Sequence, residues 1–212
     1  MSKSSDGASG VVSLVPGNDF DAQSFVIRQA LAKTRTNTLV QVISCTNDGG
    51  LSPVGFVDVK VLVQRMDGEG AIVDAGQINS VPYLRIQGGT DAIIMDPKPG
   101  DIGLASICDR DISAVVASKA PAIPASLRRH DMADALYLGG LLNGTPAQYI
   151  QFTDDGINLV SPTKVSVQAP EVDIAGVVKI TGAALTHNGV NVGATHTHTG
   201  VTPGSGSTGL PQ

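Results

Sequence analysis

The chain has 212 residues and a net charge of −5 at pH 7, with 42% hydrophobic, 16% charged and 3% aromatic residues. Its apolar share excludes a disordered chain, and the lack of a run of about 18 apolar residues excludes a transmembrane helix. The acidic balance argues against nucleic acid as the main partner.

The cysteines and the start of the chain indicate the compartment of synthesis. The first residues are polar and lack the apolar segment of a secretory signal. Cys45 and Cys108 are too few for a disulfide scaffold and too far apart for a metal pair. Both stand in apolar, strand-like runs, so we expect buried thiols in a protein made in a reducing cytoplasm.

The first half of the chain predicts a short helix followed by a small β-barrel. Residues 1–18 are expected to form an N-terminal arm, and a helix is predicted from Asp19 or Asp21 to about Arg35. Strand signals separated by glycine and proline turns then cover 38–45, 56–63, 71–74, 81–87, 91–95 and 102–108. These short strands, with no β-α-β alternation, favour a barrel, which together with the helix fills 19–118.

Residues 119–147 are predicted to link the barrel to the rest of the chain. The proline-rich stretch 120–124 has the composition of an extended linker. The densest charge cluster follows at 126–134, with basic residues at 128–130. Two interpretations of this cluster stay open, a solvated turn and a docking contact between subunits.

From residue 148 to 194 the pattern changes to short apolar pairs. In each pair two apolar residues flank a single residue, and turns separate one pair from the next. The pairs are Ile150/Phe152, Ile157/Leu159, Val165/Val167, Val172/Ile174, Val178/Ile180 and Val190/Val192. Each predicts a short strand with one apolar face. No aromatic residue follows Phe152 and no charged residue follows Lys179, so this region lacks the large side chains of an ordinary core.

These pairs predict association of three chains. A single copy would expose its apolar faces and open strand edges. Three copies wound about one axis bury the aliphatic side chains and pair the edges, so an intertwined homotrimeric β-helix or β-prism is predicted for 148–194. A monomeric β-solenoid is the alternative, but its coils normally need longer and more numerous repeats.

A histidine motif near the end of the chain predicts a metal site. His196 and His198 are separated by one residue, so on a strand both rings point to the same side. Three chains would supply six imidazole nitrogens, an octahedral set that suits iron better than zinc. We therefore predict a metal-binding apex over 195–212, with one iron ion per trimer and six histidine ligands. The alternative is a pair of solvated loop histidines, which is the setting that we expect for His187.

An enzymatic role is not expected. No acidic residue follows Asp173, and six histidine ligands leave no open position on a metal. The chain has no nucleophile elbow and no His-Glu-x-x-His motif. We therefore expect no catalytic residues and no small-molecule substrate, with a small metalloenzyme as an alternative.

Three stretches of the sequence resemble a known family. Residues 100–112 (GDIGLASICDRDI) and 128–135 (RRHDMADA) resemble phage spike proteins that begin with an oligonucleotide/oligosaccharide-binding (OB) barrel. Residues 195–206 (THTHTGVTPGSG) resemble the tip of central spikes of the baseplate assembly protein V type. The resemblance implies a mainly β protein with an OB-fold-like barrel, a trimeric spike, and one iron ion held near the apex by His196 and His198.

The function implied by this resemblance is structural. Such a spike stands at the tip of the tail baseplate in the virion, contacts the baseplate hub protein, and pierces the host outer membrane when the tail contracts. No lysozyme-like insertion is present, so no wall-degrading activity is implied. The alternative is a tail protein that binds or degrades envelope polysaccharide. Binding barrels usually display exposed aromatic residues, and the strands here offer only Phe56 and Tyr83.

Overall fold

The structure is a computed structural model that describes residues 19–194 together with His196, Gly200 and Gly204. The expected N-terminal arm, His198 and most of the expected apex lie outside the described residues. The chain forms two compact units, residues 1–146 and 147–212. With 33% strand and 13% helix, the protein is mainly β, as the sequence predicts.

The elements of the first unit follow the sequence signals in order. Helix α1 spans Asp19–Lys33, and its large apolar side chains are 49 to 70% exposed. The strands are β1 (Asn37–Cys45), β2 (Phe56–Val61), β3 (Arg65–Met66), β4 (Ile72–Val73), β5 (Gln77–Pro82), β6 (Ile86–Gly88), β7 (Asp91–Ile93), β8 (Ile102–Ile107) and β9 (Ala135–Gly140). Helix α2 spans Ser113–Ser118, and a 3-10 helix spans Met132–Asp134. Among the described helices none is long and apolar enough to cross a membrane.

A five-stranded sheet curls into a half-barrel in this unit. Its order is β5-β2-β1-β8-β9, and all of these neighbours are antiparallel. A parallel bridge between Tyr83 and Tyr137, and a 2.8 Å hydrogen bond from the Leu84 N–H to the Tyr137 carbonyl, bring the two edges together. Gly103 in β8 makes room for the Tyr137 side chain of β9, because a Cβ there would collide with the Tyr137 ring and the Gly139 carbonyl.

The core lies inside the half-barrel and is almost entirely aliphatic. Its buried side chains come from five strands and one adjoining residue, and they are Val40, Val42, Val57, Val59, Val61, Ile78, Val81, Tyr83, Ala105, Ile107, Ala135 and Tyr137. The expectation of fully buried thiols is wrong, because Cys45 and Cys108 are only half-buried. Each stands at or just beyond the end of a strand, where the core ends.

Several strands differ from those that the sequence predicts. The strand predicted at 81–87 is divided between β5 and β6. The side chains of Tyr83 and Arg85, which lie between these two strands, donate hydrogen bonds to Asp96. Strands β3 and β9 were not predicted, and β9 lies within the segment 119–147 that we expected to be a linker. The alternation of apolar and polar residues in β9 is short, ends in two glycines and follows a charge cluster, so the sequence indicates a strand there only weakly.

The second unit consists of two short hairpins and extended chain. Strands β10 (Tyr149–Thr153) and β11 (Gly156–Val160) form the first hairpin, and β12 (Thr186–His187) and β13 (Val190–Asn191) form the second. The predicted strands at 165–167, 172–174 and 178–180 are absent, since no other described segment of the chain pairs with their backbone. None of the described residues of this unit is buried.

Candidate functional site

The histidine motif begins just after the hairpin β12–β13. The backbone N–H of His196 donates to the Gly193 carbonyl oxygen at 3.1 Å, and Nδ1 of its ring lies 2.6 Å from the same oxygen. Gly193 is held in turn by its own N–H, which donates to the side-chain oxygen of Asn191 at 2.9 Å. The turn therefore orients the His196 ring through its Nδ1 edge.

This contact determines which ring nitrogen can bind a metal. A carbonyl oxygen only accepts a hydrogen bond, so Nδ1 carries the proton and the lone pair of the neutral ring lies on Nε2. Metal-binding histidines commonly donate their second nitrogen to a backbone carbonyl in this way. The exposed His196 side chain thus has the chemistry of an Nε2 ligand. Its predicted partner His198 lies outside the described residues.

The other two histidines have different settings. His187 is exposed in β12, next to the Asn188-Gly189 turn with φ values of 50° and 79°, so its predicted place beside a turn is confirmed. His130 belongs to the first unit, where its Nδ1 lies 3.2 Å from the Arg35 carbonyl oxygen. Across the described residues no group of three or more His, Cys, Asp and Glu side chains could hold a metal ion.

The apolar pairs of the second unit are exposed throughout. Every valine, isoleucine, leucine and aromatic side chain between residues 149 and 192 is 37 to 90% exposed. In the hairpin β10–β11, Ile150 stands opposite Leu159 and Phe152 opposite Ile157. These four side chains therefore lie on one face of the hairpin. Contiguous apolar faces of this kind mark contacts with other molecules.

The charge cluster before β9 contains an internal clamp. Arg128 contacts Asp111 at 2.9 Å and Asp134 at 3.0 Å, and both acidic side chains are 1% exposed. Asp111 also accepts hydrogen bonds from the hydroxyls of Ser113 and Ser126, each at 2.6 Å. These hydrogen bonds lower the pKa of Asp111 to about 2. Arg128 thus fastens the segment before β9 to the barrel, a role that neither interpretation of the cluster included.

No sequence motif indicated a second ion pair, which is buried in the first unit. Arg85 and Asp96 form an ion pair with side chains 3% exposed, and the hydroxyl of Tyr83 donates to Asp96 at 2.6 Å. Burial raises the pKa of Asp96, but the hydrogen bonds from Tyr83, Arg85 and the Gly49 N–H outweigh it and keep the pKa below its usual value. Because Tyr83 is used internally and Phe56 is half-buried, neither aromatic is placed to stack on a sugar ring.

Comparison with known proteins assigns the chain to no family. No protein-family model matches the chain, and no curated protein matches it with significant similarity. The resemblance of residues 100–112, 128–135 and 195–206 to phage spikes therefore stays a prediction.

Proposed function

We propose that the chain is the structural central spike of a phage contractile-tail baseplate, which works as a homotrimer and pierces the host outer membrane. The observation that carries this proposal is the exposure of every large apolar side chain between residues 149 and 192. With their i, i+2 spacing, these residues form faces that the unit does not cover itself. Two further copies of the same unit would cover them.

The energetics favour such an assembly. Fully burying a valine, leucine or isoleucine side chain contributes about 1.5 to 3 kcal/mol, and each chain has many such side chains in this unit. Because no charged residue follows Lys179, trimerisation beyond residue 179 requires no desolvation of a charge. Neighbouring chains would also supply strand partners for the extended residues 161–185.

The first unit is compatible with the barrel of such a spike. Its sheet order, with a parallel bridge between the two edges, agrees with a five-stranded, partly open OB barrel. In the spike this barrel stands at the baseplate end and contacts the hub protein. Its network of Arg128 and two buried carboxylates joins the barrel to the segment that leads into the shaft.

The apex is proposed to be an iron site shared by three chains. His196 of each chain is oriented by the Gly193 carbonyl so that Nε2 is its ligand atom, and His198 would complete six nitrogens. Bound there, an iron ion supplies a crosslink between the three chains. Two histidines of one chain are too few to complete the coordination of an iron ion, so the proposed donor set depends on trimerisation.

The proposed intertwined shaft would transmit the force of tail contraction. Tail contraction supplies the work, and the spike has only to resist unfolding while it is pushed forward. Strands paired between chains cannot separate unless many main-chain hydrogen bonds break together. The uncharged sequence 180–212 reduces the penalty of entering lipid, where a charged side chain costs several kcal/mol.

Replacement of the two histidines tests the proposed apex. In the His196→Ala, His198→Ala double variant we expect loss of all iron and retention of the trimer, because the shaft does not depend on the metal. His187→Ala is the matched control, since His187 is an exposed histidine of the same unit, and it should keep one iron per three chains. Elemental analysis combined with native mass measures both. Wild-type protein without iron, or iron retained in the double variant, would contradict the assignment.

A further inference from the structure

A basic pocket lies on the first unit, apart from the proposed metal site. Four cationic side chains line it, those of Lys33, Arg35, Arg65 and Arg129, and its volume is about 520 Å³. They come from the end of α1 and the link that follows, from β3, and from the loop before the 3-10 helix. The fold thus gathers cations that are up to 96 residues apart in sequence.

Among the described residues, no ion pair neutralises these four cations. In the part of the chain that the structure describes, none of the four side chains forms an ion pair or a hydrogen bond. The acidic residue in the lining, Asp131, accepts a hydrogen bond from the Ala133 N–H at 2.9 Å and caps the 3-10 helix. Arg128, next to Arg129 in sequence, is bound by two buried carboxylates instead. In a chain of net charge −5, such a cluster is a local centre of positive potential.

The backbone holds the basic pocket in shape. His130 adopts a left-handed conformation with φ 49°, and its Nδ1 lies 3.2 Å from the Arg35 carbonyl oxygen. The Arg35 segment is joined to the sheet by the Ile107 N–H, which donates to the Thr36 carbonyl at 2.7 Å. Non-glycine residues with positive φ are uncommon and concentrate at ligand-binding sites. The loop carrying Arg129 is therefore fixed against the link carrying Arg35.

A smaller cavity adjoins the basic pocket and has a mixed lining of polar and apolar residues. Its volume is about 280 Å³, and it shares Arg35 and Arg65 with the basic pocket. Its lining has an apolar part and an uncharged polar part, formed by Val61, Val63, Ala75, Ile107 and Met132 and by Thr34, Thr36, Asn37 and Thr38. A ligand that fills both cavities therefore carries negative charge at one end and an apolar side chain at the other.

We infer that these two cavities bind an acidic peptide segment of another protein, with an aspartate or glutamate in the basic pocket and an apolar side chain in the smaller cavity. The arginine guanidinium fork matches a carboxylate through two parallel hydrogen bonds. A free phosphate would leave the apolar part of the smaller cavity without a contact. Nucleic acid requires a basic track along its backbone, whereas these cations are confined to one pocket of an acidic chain. This inference does not depend on the spike assignment.

Binding of labelled peptides to the full-length protein tests this inference. The probe is a fluorescein-labelled nonapeptide of glutamate and leucine, followed by fluorescence anisotropy up to millimolar protein. We expect binding that weakens with added salt and falls at least about tenfold in the Arg65→Ala, Arg129→Ala double variant, because two charge-assisted contacts are lost. Arg110→Ala is the control and should bind as the wild type, since Arg110 lies outside both cavities and is paired with Asp109.

Charge reversal and competing ligands make the result decisive. The Arg65→Glu, Arg129→Glu variant should lose the glutamate peptide and bind the corresponding lysine-leucine peptide. Circular dichroism should show both double variants folded, as neither side chain has a partner to lose. No binding of the glutamate peptide, equal binding by the alanine double variant, or stronger binding of inorganic phosphate or a single-stranded oligonucleotide would overturn the inference.

Discussion

In the first unit Val40 and Val59 are fully buried between strands of one curled sheet, whereas in the second unit Val165 and Ile174 are 50% and 70% exposed. Both units place apolar residues at alternate positions, so the residue type and the spacing are the same. The difference lies in what faces them. The half-barrel curls so that its own strands cover the valines, whereas the described residues of the second unit form no opposing layer. The same alternation therefore builds a core in one unit and leaves exposed apolar faces in the other, which the proposed trimer would bury.

Placing a charge in the proposed interface should have the largest effect. In the Val172→Asp, Ile174→Asp variant we expect the trimer to dissociate or aggregate, because six carboxylates would be buried near one axis. The barrel should stay folded, since its core lies wholly in the first unit. Native mass spectrometry measures the association state.

A neighbouring valine provides the control for this experiment. Val177 is 90% exposed and belongs to none of the apolar pairs, so Val177→Asp should leave the trimer intact. If Val177→Asp and the double variant behave alike, the apolar pairs do not form the interface.

The barrel should show a smaller, pH-dependent effect through Asp111. Its pKa is about 2 in the folded protein against an ordinary value of 3.8, so the ionised carboxylate stabilises the fold above about pH 4. This contribution is lost as the pH falls from about 4 towards 2. Asp111→Asn removes it, and the variant's free energy of unfolding should therefore depend less on pH in that window.

Denaturant unfolding at several pH values, followed by tyrosine fluorescence, measures this dependence. The control is Asp109→Asn, because the Asp109 side chain is 75% exposed and its ion pair among the described residues is with the exposed Arg110 at 3.8 Å. It should retain the wild-type pH profile. A wild-type profile in Asp111→Asn as well would show that the buried clamp does not depend on that carboxylate.

The sequence predicted those strands that are marked by alternating apolar and polar residues between clear turns. The alternation of apolar and polar residues located β1, β2 and β8, and the glycine and proline turns located the gaps between them. Strand β9 was not predicted, because only a few of its residues alternate between apolar and polar before Gly139. The strand predicted at 81–87 was divided because a buried carboxylate outside it, Asp96, binds two of its side chains.

The polar sites were harder to foresee than the strands. The motif of His196 and His198 is contiguous, so the sequence alone indicated it. The basic pocket joins Arg35, Arg65 and Arg129, which no short motif connects. Such a site becomes visible only when the sheet brings distant segments together. A sequence motif can therefore indicate a candidate site carried by one strand or turn, but not one assembled from several segments.

The native mass of the wild-type chain, measured together with its iron content, tests the central claim most directly. The proposed spike predicts a particle of three chains of 21.6 kDa each that holds one iron ion. That result would assign the exposed apolar pairs between residues 149 and 192 to a shared core. A monomer without iron would contradict both the trimeric shaft and the histidine apex.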